Sequence, residues 1–120
     1  MSTTSVNESG VIINEAEEFD TVDDIIDFVA QHIHEWVNHQ VLWDMTLFDF
    51  LSIDSQVISY IIRKAAPLSE KRSGLKTAIL VESDLGFGMM RMLEMMGDED
   101  IKMDIGVFRN RDEALNWLYR

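Results

Sequence analysis

The chain has 120 residues with 22 acidic and 10 basic side chains, no cysteine, and a net charge of −12. That length suits one domain with a single core, and the missing cysteines exclude a disulfide framework and thiolate chemistry. So strong an acidic balance disfavours nucleic-acid backbones and anionic membrane surfaces. No apolar run approaches the roughly 20 residues that cross a bilayer. The first ten residues carry neither a basic segment nor an apolar one, so no secretory signal is read and a cytoplasmic protein is expected.

Charge is unevenly distributed. Residues 1–60 contain twelve Asp or Glu and no Lys or Arg, the first cation being Arg63; residues 61–120 contain ten of each sign. This asymmetry favours a basic protein partner, with plain solubility as the simpler reading.

Residues 1–9 are polar and are expected to form a flexible, frayed N-terminus, followed by one domain over 10–120. The apolar run Gly10 to Ile13 reads as a short strand, with a hairpin partner around Thr3 to Val6 as an option. Asn14 to Glu18 then leads into a helix capped by Asp20 or Thr21 and ending near Asn38. Ile25, Ile26, Phe28, Val29, Ile33, Trp36 and Val37 give that helix its apolar face. Val41 to Met45 has the length of a buried strand. The connection over 46–53 is expected to tuck Phe48, Phe50 and Leu51 inward. Asp54 caps the next helix, and Pro67 is expected to stop it. After a polar turn over Ser69 to Gly74, Lys76 to Val81 is the clearest strand. Ser83 or Asp84 caps a third helix that Gly97 ends. A strand over Lys102 to Arg109 and a helix over Arg111 to Tyr119, capped by Asn110, complete the chain. Ala114, Leu115 and Leu118 are its expected core residues. Alternating strands and helices predict an α/β fold with a mixed, mainly parallel sheet of four to five strands.

Three segments together carry a resemblance: Val41-Leu-Trp-Asp44, the strand Ala78 to Val81 running into Leu85 to Met92, and Val107-Phe-Arg109 followed by Glu113 to Leu118. Over residues 10–119 the pattern resembles the STAS / SpoIIAA-like family, small bacterial relatives of anti-sigma-factor antagonists. The resemblance implies helices largely on one side of the sheet, no catalytic centre, and regulation through protein partners. It also implies a serine phosphorylation switch at the start of the helix after the central strand. The corresponding segment is Phe50 to Gln56, which places Ser52, Asp54 and Ser55 in a partner loop with Ser55 as phospho-acceptor. Gln56 and Val57 stand where the family's Asp-Ser-Ser-Gly motif continues Ser-Gly.

The residues themselves offer further candidates. Phe87, Met89, Met90, Arg91, Met92, Met95 and Met96 crowd one helix, and its methionines suit a core, a protein interface or the lining of an apolar-ligand pocket. Gly86 and Gly88 at its start permit an anion site, with close helix packing as the plainer reading. The set His32, Glu35 and His39 lacks a metal-binding motif. Asp44, Asp49 and Asp54 read as caps and turns rather than as a magnesium site. No nucleophile or acid–base pair stands out, so neither enzyme activity nor a metal or cofactor is expected. The reading is therefore a non-enzymatic interaction module with a protein partner or self-association as a homodimer. The alternative is a small apolar-ligand or lipid carrier.

Overall fold

The computed structural model describes residues 3–7 and 9–120. Five strands, β1 (Thr3–Val6), β2 (Ile12–Glu15), β3 (Val41–Asp44), β4 (Lys76–Leu80) and β5 (Asp104–Phe108), form one sheet in the order β1-β2-β3-β4-β5. β1 pairs antiparallel to β2, and the other neighbours are parallel. The fold is thus α/β with a mixed, mostly parallel sheet. The helices are α1 (Val22–His32), α2 (Ser55–Ser69), α3 (Asp84–Met96) and α4 (Arg111–Tyr119).

Strand alternation sorts the core into two layers. Ile12, Trp43, Ile79 and Val107 face residues of α1, α2 and α3. Ile13, Leu42, Ala78 and Leu80 face Ala114 and Leu118 of α4. Three helices therefore cover one face, and α4 alone covers the other. Each of the three successive crossovers steps to the adjacent parallel strand, which keeps their helices together.

The caps follow local chemistry. Thr21 and Asp24 form a reciprocal capping box on α1, while Asp54, Ser83 and Asn110 cap α2, α3 and α4.

Several expectations are corrected. Thr3–Val6 forms β1, the hairpin partner the sequence offered as an option, and residues 1, 2 and 8 lie outside the described residues. Asn14 and Glu15 belong to β2 rather than to the lead-in. α1 stops at His32, and a 3-10 turn over Ile33–Glu35 rotates Ile33 and Trp36 into the core while Val37 faces outward. Pro67 does not end α2, which runs on to Ser69. The proline lies on the exposed side of the last turn, where a missing backbone donor is cheap. The Ser69 hydroxyl donates to the Ala66 carbonyl at 2.7 Å and accepts from the Lys102 N–H at 2.9 Å, holding that turn to the start of β5.

Within the polar turn lies a buried cation. The Arg72 guanidinium donates to the carbonyls of Trp36 at 3.3 Å, His39 at 2.7 Å and Lys76 at 2.9 Å, and to the Thr77 hydroxyl. Burial lowers its pKa to about 10, still far above neutrality, so it stays charged. Carbonyl dipoles balance it.

Candidate binding surface at the carboxyl edge of the sheet

In open α/β sheets, binding surfaces form beyond the carboxyl ends of the parallel strands. Here that edge is built by the loops following β2, β3, β4 and β5.

The loop after β3 is tightly organised. The Met45 N–H donates to the Leu80 carbonyl at 2.8 Å, continuing the ladder past the strand end. The Asp44 carboxylate accepts from the Thr46 N–H at 3.0 Å and its hydroxyl at 2.6 Å, and faces the Arg111 guanidinium at 3.4 Å. Asp49 accepts from the Leu51 N–H at 2.9 Å, and Asp54 from the Val57 N–H at 2.9 Å. The three aspartates thus do turn and cap work, each in its own place. Among the described residues no group of three His, Cys, Asp or Glu side chains is arranged to hold a metal ion. His32 pairs with Glu35 at 2.9 Å, whereas His39 turns away to the Gly10 carbonyl at 2.8 Å.

Side chains of this loop divide between inside and outside. Phe48, Phe50 and Ile53 are buried, with the two rings edge-to-face at 5.0 Å. Leu51 is not tucked inward as the pattern suggested: it is 83% exposed, and Ile53 takes the inner position. Leu47 is 65% exposed, and Phe19 on the loop after β2 is 88% exposed. Between these loops lies a hollow floored by Val22, Phe48, Ile53 and Val57 and rimmed by Glu18, Asp23, Asp49 and Ser52. Neither loop carries a lysine or arginine. At its edge the Tyr60 hydroxyl donates to the Asp23 carboxylate, a hydrogen bond that raises the tyrosine pKa, with minor help from desolvation and the negative charge of Asp23. Phe19 and Leu47 were not singled out from the sequence. Their signal was there: large apolar residues at loop positions beside carboxylates.

The residues of the expected partner loop are placed accordingly. Ser52 is exposed on the rim, Asp54 caps α2, and Ser55 is exposed at the first position of that helix.

The methionine-rich helix divides between buried and exposed positions. Met90 is buried beside Leu93, and Phe87, Met89 and Met92 pack partly buried against the core. Met95 and Met96 project into solvent near the other end of α3. Arg91 is exposed and pairs with Glu94 at 2.9 Å. Phe87 lies under the Arg109 guanidinium, 4.8 Å from its ring centre, and Arg109 also pairs with Asp84. Gly86 serves close packing, though against the Phe50 ring rather than the sheet. Among the described residues no helix is long and apolar enough to cross a membrane.

No protein-family model matches this chain, and no curated protein or solved structure is detectably similar to it.

Proposed function

We propose that the chain is a non-enzymatic, cytoplasmic regulatory module of the STAS-like type that docks a cationic, apolar segment of a partner protein at the carboxyl edge of its sheet. One observation carries the reading. Phe19, Leu47 and Leu51 stand exposed on the two loops that flank a hollow rimmed by carboxylates, with no lysine or arginine in either loop. Large apolar anchors in a polar surround are the usual energetic centre of a protein interface. The charge selects the partner: a basic amphipathic helix offers both the apolar face and the lysines or arginines that the hollow would receive. A second copy of this chain brings the same charge and is repelled there.

Topology supports the STAS-like part of the reading. A hairpin followed by parallel strand–helix steps, with three helices on one face, agrees with what the resemblance implies. In this reading Ser52, Asp54 and Ser55 belong to the docking loop, and a phosphate on exposed Ser55 would add negative charge there and strengthen association with a basic partner.

The test titrates a synthetic Leu/Lys amphipathic helical peptide into isotope-labelled protein. Amide shifts are expected over residues 17–23 and 46–55, with an affinity that falls as salt rises. Phe19→Ser and Leu51→Ser should each weaken binding about tenfold. Shifts confined to the Met95–Met96 end of α3, or an affinity indifferent to both substitutions, would overturn the proposal.

A further inference from the structure

Although α1 is amphipathic and caps the sheet, none of its residues is fully buried. Its apolar residues Val22, Ile25, Phe28 and Val29 pack only partly buried against the core. A helix with such a face ordinarily completes its burial against the layer beneath. Here the layer beneath is incomplete. A pocket of about 120 Å³, partly open to solvent, lies where α1, α2, α3 and the loop after β3 meet over the sheet, bounded by Ile26, Trp43, Met45, Ile61, Ile79 and Met90 among others, and its wall is almost wholly apolar.

Such a space does not suit water, which needs two to four polar partners. Nor does it suit a charged or strongly hydrogen-bonding ligand, whose polar groups would be left unpaired. It does suit an apolar group, which restores the dispersion contacts that the lining side chains lack on one side. An engineered apolar cavity of about 150 Å³ accepts benzene, so a ring-sized group matches the space. Two methionines in the wall, Met45 and Met90, allow it to adjust to the occupant.

We propose that this cavity is a binding site for a small uncharged apolar group about the size of a monocyclic aromatic. The site adjoins the docking surface, whose floor shares Val22, Phe48 and Ile53 with its lining, but the two assignments rest on different observations and are tested by different ligands.

The test uses the full chain with methionine methyl groups labelled with carbon-13 and titrated with toluene. Met45 and Met90 resonances are expected to shift saturably, while those of exposed Met95 and Met96 stay still. Ile26→Phe, at a helix position with room to adapt, should fill the cavity and weaken toluene binding at least tenfold. Ile53→Phe does the same from the loop side, in case the first variant folds poorly. Hexanol and hexanoate separate the sources: shifts with hexanol alone mark a free neutral molecule, and shifts with both mark the tail of an anionic amphiphile. Either result supports the site. No saturable shift with toluene or hexanol, shifts spread onto Met95 and Met96, or unchanged binding in the two folded variants would overturn it.

Discussion

A Cβ built on Gly86 would lie 2.8 Å from the Phe50 ring, so the first turn of α3 and the loop after β3 meet with no room for a methyl group. Phe50 is rigidly held, buried and edge-to-face with Phe48, so it cannot simply swing aside. Gly86→Ala is expected to cost about 1–3 kcal/mol in urea unfolding. Gly88 is the control, since a Cβ there meets nothing within 4 Å. Gly88→Ala should stabilise the helix by about 0.5–1 kcal/mol.

Asn14 is fully buried on β2, opposite Trp43, and among the described residues neither its amide nitrogen nor its amide oxygen has a hydrogen-bond partner. An unpaired buried amide costs about 1–3 kcal/mol. Asn14→Val replaces it with an apolar side chain suited to a strand, and the midpoint of urea unfolding should rise by a corresponding amount. An unchanged or lower midpoint would show that the amide is satisfied.

Arg72 holds the carbonyls of Trp36, His39 and Lys76 together, where the turn after α1, the entry to β3 and the start of β4 converge. A lysine keeps the charge but lacks the planar fork that reaches all three. Arg72→Lys should therefore destabilise the protein by at least about 2 kcal/mol, measured by chemical denaturation. A loss below that would mean the three bonds are individually dispensable.

Tyr60 ties α2 to α1 through its bond to Asp23, and its pKa is raised above the ordinary value. The folded state then keeps the phenolic proton to higher pH than the unfolded state does. The contribution is present below pH of about 10 and is lost as pH rises through the folded pKa. Absorbance titration should show a tyrosine step above the ordinary phenol range, and Tyr60→Phe should remove it. A high-pH step that survives in Tyr60→Phe would refute the assignment.

Most elements were legible because their signals are local. Asp54 and Asn110 cap the helices expected of them, and Thr21 and Ser83 are the caps among the pairs Asp20 or Thr21 and Ser83 or Asp84, since a capping side chain needs only the next few residues. Pro67 misled because a proline's effect depends on which face of the helix it occupies. Leu51 misled because a loop has no fixed period, so its neighbour Ile53 could take the inward place. Arg72 was unreadable in a run of polar residues, because its carbonyl partners lie 33 and 36 residues away at two of its bonds.

The α/β alternation, the mostly parallel sheet and the acidic first half can be read from local pattern, since periodicity, caps and charge are properties of short stretches. What those residues surround depends on the assembled fold. It set Phe19 beside the loop that carries Leu47 and Leu51, separated Met90 from Met95, and left the apolar space beneath α1. Each of these depends on how distant elements pack, and packing is settled by the shapes of all the side chains together rather than by the pattern of any one segment.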